Sequence, residues 1–331
     1  MLKTYEFSSV LAPHIETFIS LKRSSGFSFD LESYYLNLFD KYCVEHSLSE
    51  PSYSKEFLSE WMTLKETESN ETLSRRISVV RQLSLYLNGI GIPAYVPHKF
   101  SSSNGSVPYA LVGKELHAFF EVLDNAVAEL GPLGIPHPNR ARLKIEYKIM
   151  FRLYYCCGLR NNELCSLKSE NVDLDNGIIR IIRSKGNLDR LVYMADDVLD
   201  LVRKYWEWLI SILGKTPVYF FPALDCSKGL HKSTIEQVFN NAWKKTDFYN
   251  KTVKKPVVHS LRHGFTVDRI NHWTDEGIDI ERMIPYLSTY LGHSNHEETH
   301  YYYHLTSASN RVIRNIMADA DSVIPEVSHE K

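Results

Sequence analysis

The sequence has few cysteines, no long apolar run and almost no net charge, and each of these lacks closes off a class of protein. Its five cysteines, Cys43, Cys156, Cys157, Cys165 and Cys226, are an odd number in a chain of 331 residues. A chain of this length can bury a core without staples, so the thiols are expected to be reduced, as in a cytosol. No CxxC pair and no paired zinc-ligand spacing occurs among them. After Met1 come Leu2, Lys3, Thr4, Tyr5 and Glu6, with no apolar signal core, and no later run approaches the roughly 20 apolar residues that span a bilayer. The expectation is a soluble, untargeted, cytoplasmic protein without a membrane partner. A formal net charge of −2 does not advertise a nucleic-acid binder.

The charge is unevenly spread, however. From Arg140 to Arg190 there are eleven Lys or Arg against six Asp or Glu, and from Lys228 to Arg269 nine against three, whereas the last part of the chain is acidic. Duplex DNA is held mainly through its phosphates, so a basic lining inside a neutral molecule suffices. A solvated charged face is the plainer reading of such counts taken alone.

With 44% hydrophobic residues the chain can build two cores. The first hundred residues carry helical periodicity: Ile15, Phe18, Ile19 and Leu21; then Tyr35, Leu36, Leu38, Phe39 and Tyr42. A third stretch runs from about Phe57 to Leu64. A fourth starts near Glu71, carries Leu73, Ile77, Val80, Leu83, Leu85 and Leu87, and stops at Gly89 and Gly91. This predicts a bundle of about four helices over residues 1–97, with Arg75, Arg76 and Arg81 as candidate phosphate contacts. Residues 98–108, polar and rich in Ser with Asn104, Gly105 and Pro108, read as a linker. The second part, 109–318, mixes elements and leaves a short tail at 319–331. Helical patterns cover about Lys114–Leu130, Arg142–Cys157, Asp197–Leu213, Thr234–Phe248 and His259–Trp273. The β-rich segments Gly177–Arg183 and Asp189–Tyr193 form a hairpin with Lys185 at its tip. The fold class is therefore mainly α with a small antiparallel β-sheet.

Four segments hold the residues that can carry chemistry. They are Gly158-Leu159-Arg160-Asn161-Asn162-Glu163-Leu164, the hairpin lysine, His259-Ser260-Leu261-Arg262-His263-Gly264, and Leu291-Gly292-His293-Ser294 followed by Thr299-His300-Tyr301-Tyr302-Tyr303-His304. Each has a plain alternative, such as a helix junction with Arg160 paired to Glu163, or a lysine on an exposed turn. In helical register His259 shares a face with both Arg262 and His263.

In this order the set GLRxxEL, hairpin lysine, HxLRH, LGHS and TxxYxH resembles the active site of the tyrosine recombinases of the phage integrase type. The helical first region is similar to the core-binding, SAM-like domain that precedes the catalytic domain in that family. The family's nucleophile lies nine residues after the LGH histidine and three after the threonine, which selects Tyr302 among three adjacent tyrosines. The resemblance implies that Arg160 and Arg262 clamp the scissile phosphate, His259 assists deprotonation of Tyr302, Lys185 protonates the leaving 5′-oxygen and His293 donates to the phosphate. Glu163 is expected to orient Arg160. The residue types suit a metal-free reaction without cofactor, because guanidinium forks match phosphate oxygens as a lysine does not. The implied partners are double-stranded DNA recombination sites and further copies of the chain, as a tetramer on two sites. Accessory DNA-bending or directionality factors remain open. The stretch from Arg262 to His293 is longer than in simple family members, with a surface loop around Trp273–Gly277 as the expected accommodation.

Two other readings stand beside this one. A metal-dependent nuclease would use His293, His296, His300 and His304, at near-helical spacings, or the His259–His263 pair. A DNA-binding protein could keep the fold without exchanging strands. The sequence names neither the DNA site nor the choice among integration, excision, transposition and resolution.

Overall fold

The computed structural model describes residues 5–100, 108–126, 140–182, 189–293, 295 and 297–303. The chain divides into two compact units, Met1–Ser106 and Val107–Lys331.

In the first unit, helix α1 (Ala12–Ser24) starts with proline in its first turn, where no hydrogen bond is lost, and buries Ile15, Phe18 and Ile19. Helix α2 (Asp30–Glu45) lays Leu36, Phe39 and Cys43 against it. Helix α3 (Asn70–Gly89) is capped by Ser69, whose hydroxyl accepts the Thr72 N–H at 3.2 Å, and it buries Val80, Leu83 and Leu87. The expected helix from Phe57 to Leu64 is instead a chain of separate turns with Leu58 and Trp61 buried. Its backbone bonds mix three-residue spacing (Ser59 N–H to the Glu56 carbonyl, Thr63 N–H to the Glu60 carbonyl) with four-residue spacing (Met62 N–H to the Leu58 carbonyl), so no regular α-helical ladder forms. The described bundle thus has three helices.

The second unit is built on α5 (Arg140–Cys156), whose Met150, Phe151, Leu153 and Tyr154 are fully buried. Helices α7 (Asp196–Leu213) and α9 (His259–Asp275) pack on it, and α4 (Gly113–Ala126) meets α8 (Lys232–Lys244) through Phe119 and Phe239, ring centres 4.8 Å apart. A short helix α6 (Asn161–Cys165) follows α5. The sheet has three antiparallel strands in the order β1 (Val172–Asp173), β2 (Ile178–Ile181) and β3 (Arg190–Tyr193), with Ile179 opposite Val192 and Ile181 opposite Arg190. Mainly α with a small antiparallel sheet is the architecture found. Helix α8 ends at Lys244, four residues short of the expected Phe248.

The extra length between Arg262 and His293 is accommodated differently from the expected loop. After α9 and a turn at Gly277, residues Ile280–Leu291 form a further helix, α10, despite Pro285 inside it. An interior proline costs about 3 kcal/mol. Burying Ile284, Leu287 and Leu291 contributes roughly 1.5–3 kcal/mol each, so packing outweighs the break. The last described helix, α11 (Glu297–Tyr303), has seven residues, too few to stand alone in water. It is held by Tyr302, which packs in a small cluster with Val267, Ile270, Leu287 and Leu291.

Candidate active site

The site begins where α5 ends. Gly158 turns the chain at φ +60°, and a Cβ there would lie 2.7 Å from Phe265 Cδ1, so only glycine fits. Arg160 caps α6, and Glu163 one turn on accepts the Arg160 backbone N–H at 2.8 Å and its Nη1 at 3.0 Å. Arg190, opening β3, donates Nη1 and Nη2 to the two oxygens of the same carboxylate, at 2.7 Å each. Arg262, on α9 and 1% exposed, donates Nη1 to the Gly158 carbonyl at 2.6 Å.

The three arginines share a second anchor, the C-terminus of α10. Arg190 Nε donates to the Tyr290 carbonyl at 2.8 Å, Arg262 Nη2 to Leu291 at 2.7 Å, and Arg160 Nη2 to Gly292 at 2.5 Å. The last carbonyls of a helix lack intrahelical donors and carry the negative end of its dipole, so three successive carbonyls take three cations. Gly292 ends the helix at φ +66°, and a Cβ there would crowd Arg190 Cδ at 3.1 Å and Arg160 Nη1 at 3.3 Å. Burial first, and then the charge on Arg160, push Arg262 down to about 9, still cationic at neutral pH.

The nucleophile candidate lies beside this cluster. Tyr302 is 6% exposed, and its hydroxyl is hydrogen-bonded to Nδ1 of His263. His259, one turn earlier on α9 and exposed, stands edge-on to His263, ring centres 4.5 Å apart. His293, directly after the α10 cap, shares a hydrogen bond between Nδ1 and Thr299 Oγ1 at 2.7 Å, and its ring lies nearly parallel to that of Tyr302 at 6.4 Å. Burial raises Tyr302 to about 12, with the charge on Arg262 pulling the other way. Burial, and after it the charge on His259, lowers His263 to about 3; burial, and after it Arg262 and Arg160, does the same for His293. At neutral pH both imidazoles are neutral and the phenol is protonated.

Of the residues singled out from sequence, Arg160, Glu163, Arg262, His293 and Tyr302 meet in this one place, with His259 at its edge. The ring bonded to the Tyr302 hydroxyl is that of His263, whereas the motif reading gives the task to His259. Tyr301 is exposed at 38%. Lys185 and His304 lie outside the described residues. In the first unit, Arg76 corrects the expectation: it is 3% exposed, its guanidinium is spent on Glu68 and the Trp61 and Thr63 carbonyls, and it cannot face a phosphate. Arg75 is exposed and pairs with Glu71, and Arg81 donates to the Pro97 carbonyl. Two residues at the centre have no role in the motif reading, His263 and Arg190. Arg190 had a signal: it alternates with buried Val192 on β3, and a cation on the inward face of a strand needs a partner.

His296-Glu297-Glu298-Thr299-His300 also spells the HExxH pattern of zinc proteases. His296 lies outside the described residues. His300 is nearly half exposed with Nε2 3.9 Å from a Glu281 carboxylate oxygen, and Thr299 between them is buried against His293. Among the described residues no three His, Cys, Asp or Glu side chains are grouped as a metal site, and no helix is long and apolar enough to cross a membrane.

The family model described as phage integrase family matches residues 135–309. Tyrosine recombinase XerD of Vibrio cholerae is 28% identical over 248 residues, 73% of this chain and 73% of that protein. Tyrosine recombinase XerC of Thermodesulfovibrio yellowstonii is 28% identical over 265 residues, 79% of this chain and 80% of that protein. Among solved structures, the integrase of transposon Tn1549 in complex with transposon right end DNA superposes with a TM-score of 0.61 at 15% identity, covering 92% of this chain and 99% of that one, a likeness of fold.

Proposed function

The chain belongs to the phage integrase family, the tyrosine recombinases, and from that premise we propose that Tyr302 is the nucleophile with which it cuts and rejoins DNA at specific sites. The observation that supports this most is that the phenol shares one site with the two motif arginines. The charges of Arg262 and Arg160 both act on its hydroxyl, although the three residues come from segments far apart in the chain.

In the reaction, Tyr302 Oη loses its proton and bonds to the scissile phosphorus as the bond to the 5′-oxygen breaks. One phosphate ester replaces another, so religation by a 5′-hydroxyl needs no ATP. Arg160 and Arg262 present paired N–H donors to the non-bridging oxygens, where charge builds in the transition state. Glu163 and the α10 carbonyls fix both guanidinium groups beforehand, so little reorganisation is left for the moment of reaction. His293 adds a donor from its Nε2 side while Nδ1 is occupied by Thr299. His259, at the exposed rim, assists the proton movements, and Lys185 gives the leaving 5′-oxygen its proton. The same reading has residues 1–97 gripping the core site and 109–318 doing the chemistry. It places the enzyme in the cytoplasm, as a tetramer on two sites with DNA-bending or directionality factors beside it.

The test is a nicked suicide substrate cut from the DNA flanking the gene, analysed on a denaturing gel. Wild type should form a covalent adduct in the presence of chelator, and Tyr302→Phe should bind the same DNA without forming one. An adduct that persists in Tyr302→Phe overturns the assignment.

A further inference from the structure

The contact between His263 and Tyr302 is the polar tie described at the nucleophile itself, and the motif roles leave it unexplained. Tyr302 sits on a seven-residue helix, and its own ring is held by one apolar cluster, while Thr299 on the same helix bonds to His293. An apolar cluster buries a ring but does not choose which way its hydroxyl points along the ring plane. The choice here is made by Nδ1 of His263, projecting from α9 one residue after Arg262. The backbone of α9 is anchored from both sides. Arg262 ties it to the Gly158 turn and to α10, and α9 packs along α5. His263 therefore stands on a long helix tied to three other parts of the site, next to the arginine proposed to bind phosphate, while Tyr302 stands on a helix of seven residues.

Resting on the recombinase reading, we propose that His263 is a catalytic residue that holds the Tyr302 hydroxyl by accepting its hydrogen bond at Nδ1, and so aims the nucleophile at the arginine-bound phosphate. The role is aim rather than proton removal. A base brought down to about 3 does not deprotonate a phenol raised to about 12, but its lone pair still accepts the O–H. His259 stands edge-on to His263 one turn earlier and keeps the proton role proposed for it above.

This view separates shape from polarity, and two substitutions do so in the experiment. In His263→Asn the side-chain oxygen lies close to where Nδ1 lies and can accept the phenol proton. In His263→Phe the ring fills the space but accepts nothing. Adduct formation is followed on the suicide substrate at saturating DNA, with binding measured separately by gel shift and folding by thermal melting. A nucleophile displaced by about 1 Å loses on the order of 100-fold in rate. The expectation is therefore that the Phe variant binds DNA as wild type does but forms adduct about 100-fold more slowly, and that the Asn variant recovers to within about tenfold of wild type. Equal rates in the two variants, whether both high or both low, overturn the proposal, because the ring would then serve only as packing. Failure of wild type itself to form a Tyr302 adduct counts instead against the recombinase reading on which it rests.

Discussion

Two buried arginine centres, one in each unit, use the same bonds to different ends. Arg76 in the first unit is bonded to two backbone carbonyls, stacks over the Trp61 ring at 4.7 Å and pairs with the Glu68 carboxylate, which also accepts the Lys65 N–H. In the second unit Arg160 and Arg190 divide Glu163 between them, while the two described bonds of Arg262 go to carbonyls alone. Carbonyls orient a guanidinium without cancelling its charge. Arg76 is thus a strut with a carboxylate of its own, whereas among the described bonds the second centre has one carboxylate, Glu163, for three guanidinium groups. A buried arginine by itself signals neither stability nor function, and the ratio of carboxylates to guanidinium groups tells the two apart.

The comparison can be broken most severely at the strut. Arg76→Ala removes a buried guanidinium, leaves the Trp61 and Thr63 carbonyls without their donor and leaves half-buried Glu68 with only the Lys65 N–H, and urea unfolding should show a loss of about 3 kcal/mol or more. A loss under about 1 kcal/mol would mean that Arg76 is no strut. The next effect is on chemistry: Arg160→Lys and Arg262→Lys keep the charge but lose the fork, and adduct formation per folded, DNA-bound enzyme should fall by about 10²–10³-fold, with some loss of melting temperature in Arg262→Lys, which gives up a buried carbonyl bond. Near wild-type rates in both would remove the clamp from the mechanism.

Acid sharpens the contrast. His263 is depressed from its ordinary 6.5 to about 3. Its contribution to stability is therefore complete above about 6.5, is lost progressively as the unfolded chain takes up a proton below that, and is gone near 3. At pH 5 this amounts to about 1–2 kcal/mol. Burial pulls Glu68 up, but the hydrogen bonds from Arg76 and the Lys65 N–H outweigh it and hold the carboxyl below its ordinary 4.5, so its contribution persists until below that pH. Hydrogen exchange between pH 7 and 5 should show α9 and α11 loosening before α3, and His263→Asn should remove about half of the response, the rest coming from His293, which is depressed to about 3 as well. The reverse order would contradict the assigned burial. Smallest is Arg75→Ala, an exposed pair one helical turn apart, which should shift stability by no more than about 0.5 kcal/mol. If Arg75 touches phosphate, the salt dependence of DNA binding should also flatten by about one ion.

Much of this is legible without coordinates, and the reason is chemical. Arg160, Arg262, His293 and Tyr302 stand out because their segments, in this order, resemble the family's active-site set, and metal-free phosphoryl transfer suits those residue types. The fold class follows from 3.6-residue periodicity and from the isoleucine-rich β2 facing β3. What escapes depends on partners far away in sequence. Nothing near Arg76 announces that it caps the Trp61 and Thr63 carbonyls. Pro285 hides α10, whose stability comes from α9 and α11. The choice between His259 and His263, one turn apart on one face, depends on where α11 sits, which periodicity does not encode.

The end of α10 carries a mechanical implication. Because Tyr290, Leu291 and Gly292 each grip a different arginine, a displacement of that helix would remove one of the described anchors from all three cations together, leaving Arg160 and Arg190 on Glu163 and Arg262 on Gly158. Competence at this centre therefore behaves like a latch with one bolt, and any force that reaches α10 through its exposed residue Tyr286 acts on the whole cation set at once.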